Sequence, residues 1–140
     1  LSLHDALPIL LVRPHVFESM TDIATKQQSG PTFTPRMMNL ADPSVLKTVK
    51  AGMRDAVVYG SARALSVLPF ETAGKTGTAQ WSSTKNTHAW FTGFAPFDQP
   101  EIVVSVLLEE AGEGSSFAVP VAKDLFQGWW NIRTERSGRF

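Results

Sequence analysis

The sequence contains no cysteine. Disulfide staples and Cys-ligated zinc are thereby excluded, while the redox compartment stays open. It also lacks a charge excess, with 13 Lys+Arg against 13 Asp+Glu. That balance argues against a nucleic-acid binder, which carries a basic surplus or stripe. Long apolar runs are missing too. The longest, residues 6–12, contains Pro8 and is far too short to cross a bilayer. The chain begins at Leu1, without an initiator Met or a signal-peptide pattern, and is expected to be a piece of something longer. What it does have is 140 residues, 43% of them hydrophobic, which suits one globular domain with a buried core.

Residues 1–9 show neither helical nor strand periodicity. Residues 10–35 mix apolar positions with Pro14, Gly30, Pro31 and Pro35, so short strands are expected at 10–12 and 15–17 among turns. A helix follows. Asp42 is a good N-cap, Pro43 fits the first helical position, and Gly60 suits the end. Val45, Val49, Met53, Ala56 and Val57 recur at helical spacing and predict its buried face. Gly52 inside that helix suggests a close packing approach.

From Phe70 the pattern becomes strand-like, over 70–80, 87–95 and 101–109. The third segment is almost continuously apolar and predicts a strand covered on both faces. The short link 96–100 predicts an antiparallel hairpin. A second helix is expected over 116–130, with Ser116 as N-cap and Ala118, Ala122, Leu125, Phe126 and Trp129 buried. Residues 133–140 read as a polar, solvated tail. The fold class is therefore α+β: an antiparallel sheet of three strands with helices packed on it.

The chemistry concentrates in Ala73-Gly74-Lys75-Thr76-Gly77-Thr78-Ala79-Gln80. A phosphate-binding loop would need glycine at position 69, which is Pro69, and a helix opening after Thr76, where Gly77 and Thr78 are poor helix formers. A Lys-Thr-Gly strand fits better. Its lysine offers a fixed positive charge to an anionic substrate end. The neighbouring hydroxyls can donate to a carboxylate, and glycine lets a peptide lie along the strand edge.

That octapeptide resembles the Lys-Thr-Gly strand of penicillin-recognising serine enzymes. The run His88-Ala89-Trp90-Phe91-Thr92-Gly93-Phe94-Ala95-Pro96 resembles the strand that follows it in class B penicillin-binding proteins. Upstream, Gly52-Met53-Arg54-Asp55-Ala56-Val57-Val58 and Gly60-Ser61-Ala62 resemble the preceding helix and turn, and Arg13-Pro14-His15-Val16 the extended segment before that. The Trp90-Phe91 pair favours the elongation-type subgroup, penicillin-binding protein 2. The resemblance implies a partial β-lactamase/transpeptidase-like fold over 10–132 and a parent D,D-transpeptidase that cross-links peptidoglycan through a serine acyl-enzyme. It implies that Lys75, Thr76, Gly77 and Thr78 bind substrate. Lys75 would also polarise the proton network, and the Thr78 N–H would supply half of an oxyanion hole. His88 and Trp81 are candidates to line the cleft. No metal or organic cofactor is implied. The implied partners are a peptidoglycan stem peptide, β-lactams, other cell-wall synthesis proteins and the missing N-terminal part of the same domain, whose strands would complete the sheet beside 101–109. The implied location is the periplasmic face of the inner membrane, by way of an anchor upstream.

The sequence departs from that family pattern in two respects, since the family carries a Ser-x-x-Lys nucleophile and a Ser-x-Asn upstream of Lys-Thr-Gly. It contains no Ser-x-Asn. Ser44-Val45-Leu46-Lys47 has the Ser-x-x-Lys spacing, but it sits just ahead of the Lys-Thr-Gly strand, where the family nucleophile does not, and a serine at a helix start has an ordinary capping role. The nucleophile is therefore expected to be absent from this chain, and the chain alone inactive. His4, His15 and His88 lack the close spacing of a metal site. Residues 1–9 match nothing in the family and resemble a translated sequencing-adapter remnant, so they are expected to be foreign to the domain. A class D-like β-lactamase, a penicillin-sensing domain and a non-catalytic binding module remain alternatives.

Overall fold

The computed structural model describes residues 10–12, 16, 18–30, 35–38 and 41–137. The chain divides into two compact units, 1–47 and 48–140.

In the first unit, β1 (Leu10–Val12) and β4 (Pro35–Met38) form an antiparallel pair, with a register shift between Leu11 and Val12. Between them in sequence, β2 (Met20–Thr21) and β3 (Gln28–Ser29) form a separate small hairpin. Asp22 builds its turn by accepting the amides of Ala24 and Thr25 at 2.9 and 2.7 Å. These hydrogen bonds, that of Thr25 foremost, hold the Asp22 carboxyl below its usual value. The strand expected at 15–17 falls on His15 and Phe17, which lie outside the described residues.

Helix α1 (Pro43–Val58) begins in this unit and runs into the second. Asp42 caps it as expected, accepting the Ser44 amide at 2.7 Å and the Ser44 hydroxyl at 2.6 Å. Its predicted face needs correction. Val57 is fully buried, but Val45 and Val49 are each 54% exposed. Lys50 and Arg54 turn inward instead: the Lys50 Nζ sits 4.7 Å from the Phe97 ring centre, and Arg54 donates to the Thr72 carbonyl and the Glu71 carboxylate. Helical spacing thus held for Met53, Ala56 and Val57, which are half-buried or buried, and failed for Val45 and Val49, because long basic stems can cover apolar surface in place of valine. Gly52 is likewise corrected: a Cβ there would meet nothing within 4 Å. Gly60 does end the helix, for a different reason from the one expected. A Cβ on it would come within 2.9 Å of the Ala56 Cα.

A short 3-10 turn, Arg63–Val67, buries Leu65 and leads to the sheet. Strands β5 (Ala73–Ala79), β6 (His88–Ala95) and β7 (Ile102–Leu108) are antiparallel in the order β5-β6-β7. The lead-in 70–72 is not strand as predicted: the Thr72 carbonyl accepts from the Arg54 guanidinium and the Glu71 carbonyl from the Phe97 amide, outside the regular ladder, while the Phe70 ring stacks on Trp130 at 4.7 Å. The register aligns Gly74 with Gly93 and Thr76 with Phe91, and Phe91 in turn with Val106.

One face of this sheet carries Ala89, Phe91, Ala95, Val104 and Val106, all buried. Helix α2 (Ala118–Ser137) covers it with Ala118, Val119, Ala122 and Phe126. Phe126 meets Phe91 edge-on, at 6.5 Å and 89°. The Phe91 ring lies across the strands at two glycines. A Cβ on Gly93 would come within 2.6 Å of its Cζ, and one on Gly74 within 2.6 Å of its Cε2. Small residues at these points make room for the largest core ring.

The expectation that the third strand is covered on both faces is corrected. Its burial alternates, and Val103 is 70% exposed among the described residues. Leu107 and Trp90 share the open face. α2 also differs from its sequence reading. It begins at Ala118, its first amides donating to the Gly114 carbonyl, and Leu125 is half exposed while Val119 takes the buried place. The helix runs on to Ser137, so Arg133 belongs to it, where it pairs with Glu101. No helix among the described residues is long and apolar enough to cross a membrane.

Candidate functional site

β5 is an edge strand of its sheet, and Lys75-Thr76-Gly77-Thr78 lies within it. This disposes of the phosphate-loop reading, because Gly74-Lys75-Thr76 continues a strand rather than opening a helix. Successive side chains on a strand point to opposite faces. Lys75 and Gly77 therefore share the open face, and Thr76 and Thr78 share the face that α2 covers farther in.

Lys75 is exposed, and its Nζ donates to the Thr76 carbonyl. It stands in register with Thr92, which stands in register with Ser105. The Thr92 and Ser105 hydroxyls are 2.6 Å apart, so a polar row crosses the open face from the lysine. The Thr76 hydroxyl lies 2.6 Å from the Ser61 hydroxyl, just beyond the end of α1. Gly77 faces Trp90, and a Cβ there would come within 3.1 Å of the Trp90 Cβ. Thr78 is exposed, and its Oγ1 accepts the Gly114 amide at a long 3.5 Å. Gly114 itself rests on the strand: a Cβ on it would come within 2.5 Å of the Gly77 carbonyl oxygen.

His88 and Trp81 sit together at the other end of the hairpin. His88 is in register with Ala79, and its ring stacks on Trp81 at 5.1 Å and 14°. Its Nδ1 accepts the Glu110 amide at 3.0 Å. The Trp81 indole donates to the Asn86 carbonyl, and Lys85 lies over its ring while pairing with Glu110. These contacts fold the 80–87 connection onto the end of β7.

Sequence reasoning missed Ser61 and Gly114 as neighbours of the motif. It also passed over a second Ser-x-x-Lys, Ser82-Ser83-Thr84-Lys85. Neither Ser-x-x-Lys is arranged as a nucleophile and its base. Ser44 Oγ bonds Asp42, at the cap of α1. Ser82 lies in the irregular 80–87 connection, its Oγ accepting the Thr84 amide, and Lys85 is held by Glu110 at 2.9 Å. Among the described residues, no three His, Asp or Glu side chains are grouped to hold a metal.

Residues 10–127 match the penicillin binding protein transpeptidase domain. The chain is 34% identical over 137 residues to the peptidoglycan D,D-transpeptidase MrdA of Haemophilus influenzae, covering 86% of this chain and 21% of that protein. It is 30% identical over 124 residues to the peptidoglycan D,D-transpeptidase PbpA of Mycolicibacterium smegmatis, covering 81% of this chain and 24% of that one. Among solved structures, Pseudomonas aeruginosa PBP2 superposes with a TM-score of 0.65 at 34% identity, over 74% of this chain and 24% of that one. PBPA of Mycobacterium tuberculosis shares the fold at 22% identity, with a TM-score of 0.71 over 84% of this chain and 28% of that one. The chain thus spans about a fifth to a quarter of the curated relatives it matches.

Proposed function

The chain belongs to the penicillin-binding protein transpeptidase domain family, and from that membership we propose that it is the substrate-strand part of a peptidoglycan D,D-transpeptidase of the PBP2 type. The observation that carries this reading is Lys75-Thr76-Gly77-Thr78 on an open sheet edge.

In this reading the stem peptide lies along β5 as an added strand, which Gly77 permits by presenting no side chain. The Lys75 ammonium attracts the peptide's terminal carboxylate, and the Thr76 and Thr78 hydroxyls donate to it. A serine outside this chain attacks the carbonyl between the two terminal D-alanines. The Thr78 N–H stabilises the oxyanion that forms. The C–N bond breaks, D-alanine leaves with a proton, and the acyl group stays on the serine. An amine of a neighbouring peptide then takes the acyl group and frees the serine. A β-lactam acylates the same serine. The work takes place on the periplasmic face of the inner membrane, where its substrate lies.

The nucleophile belongs to the remainder of the domain. In support, the chain has no Ser-x-Asn, and the serines of its two Ser-x-x-Lys runs have other partners. Fluorescent penicillin tests both halves of the proposal. The full-length protein carrying this segment is expected to be labelled at one serine outside it, and the isolated 140-residue chain to stay unlabelled. A label traced to a serine of this chain would overturn the placement of the nucleophile. No label on the full-length protein would overturn the function.

A further inference from the structure

Thr76 and Thr78 each have a partner behind them, and the two partners differ in kind. Gly114 offers Thr78 an amide, which can only donate, so the Thr78 oxygen accepts and its proton points elsewhere. Ser61 offers Thr76 a hydroxyl at 2.6 Å, and either of the two can donate. Free of ligand, that bond can run in both directions.

An anion at the strand edge removes the ambiguity. Residues two apart on one strand face are separated by about 6.6 Å. Hydroxyls at that spacing can each reach one oxygen of a single carboxylate at about 2.7 Å. For Thr76 to donate outward, Ser61 must donate to Thr76. The two threonines then present two protons, each backed by a hydrogen bond from within. Chained hydrogen bonds of this polarity reinforce one another.

We propose that Ser61 is a positioning residue: its hydroxyl donates to Thr76 Oγ1 and so aims the Thr76 proton at the carboxylate of the bound ligand. This rests on the reading of β5 as the ligand strand. Ser61 is exposed, and its hydroxyl lies against that of Thr76, through which it would act on the ligand. It follows the last turn of α1, where Gly60 lies against Ala56, so its place is fixed by backbone and not by a flexible loop. The inference gives the Gly60-Ser61 turn a role in specificity for acidic ligands, one that the Lys-Thr-Gly sequence alone does not reveal.

The test compares the full-length protein with its Ser61→Ala and Ser61→Thr variants, using benzylpenicillin and its methyl ester. For benzylpenicillin, Ser61→Ala is expected to lower the second-order acylation constant about tenfold, the upper size of one lost hydroxyl–hydroxyl hydrogen bond. Ser61→Thr is expected to restore it to within about twofold, since it keeps the hydroxyl. For the ester, which has no carboxylate, all three proteins are expected to react alike. Ser61→Cys, similar in volume with a weak donor, replaces the alanine variant if that one melts early, and is expected to lose selectively in the same way. Equal benzylpenicillin rates in wild type and Ser61→Ala would overturn the inference and leave the function standing. So would an equal loss with the ester, which marks a merely structural role. Absence of acylation in the wild type would overturn the function, and this inference with it.

Discussion

Arg133 grips Glu101 with two parallel hydrogen bonds, Nε to Oε2 at 2.7 Å and Nη2 to Oε1 at 2.6 Å. The pair ties α2 to the residue just before β7, and the guanidinium also lies over the Trp129 and Trp130 rings. Both side chains are well exposed, so distance alone would credit the pair with little; its fork geometry is what lets it fix the helix end.

The consequence for pH can be measured. The hydrogen bond from Arg133 holds the Glu101 carboxyl below its ordinary 4.5. A carboxylate whose value is lower in the folded chain stabilises the fold above its unfolded value and stops doing so as acid carries it through the folded one. Thermal melting of the wild-type chain is therefore expected to fall between about pH 5 and pH 3. Glu101→Gln is expected to melt lower at neutral pH and to show a shallower acid limb. Parallel acid limbs in the two proteins would contradict the coupling.

The Phe91 ring sets the cost of side chains on β5. Gly74→Ala drives a methyl group into that ring and is expected to destabilise by about 1–3 kcal/mol. Phe91→Ala empties the core and is expected to cost about 3–5 kcal/mol. Combined, the two should cost clearly less than their sum, because the cavity receives the added methyl. Urea denaturation of the four proteins reads the coupling, and strict additivity would rule it out.

Thr72 is fully buried, and its hydroxyl has no hydrogen-bond partner among the described residues. Its backbone carbonyl, which accepts from Arg54, is unaffected by the side chain. Thr72→Val removes the stranded hydroxyl at nearly constant shape and is expected to raise stability by about 1 kcal/mol. A loss in the same urea experiment would reveal a partner for that oxygen.

The two Ser-x-x-Lys runs make a matched control for the penicillin experiment. In the full-length protein, Ser44→Ala and Ser82→Ala are expected to leave labelling unchanged, since these serines serve a helix cap and a loop. Lys75→Ala is expected to slow labelling by about a hundredfold or more, as removal of a charge that acts on the reacting site does. Retained labelling in Lys75→Ala would detach the motif from the chemistry.

Much of this arrangement was legible in the residues. The second strand followed from alternation and the third from its apolar run, the short link 96–100 announced the hairpin between them, and Asp42 announced α1 by its side-chain chemistry. The Lys-Thr-Gly strand could be read because glycine and threonine at those positions suit a sheet edge and spoil a helix. What could not be read depended on contacts between distant segments. Lys50 and Arg54 took the inner flank of α1 because Phe97, Glu71 and the Thr72 carbonyl receive them there. The continuous apolar pattern of β7 suggested two covered faces, yet α2 reaches only one. Arg133 looked like part of a solvated tail because Glu101, its partner, lies on another element. Ser61 and Gly114 carry no local signal of their role, which comes from lying beside β5.

The contact between Gly77 and Gly114 has a mechanical meaning. Two backbones meet there without a side chain between them, and the carbonyl of Gly114 receives the first amides of α2. A stiff stop thus stands against the α2-facing side of β5 at Gly77. A displacement of β5 toward α2 at that point is passed as a push on the N-terminal turn of α2. On that face the strand acts as a braced beam.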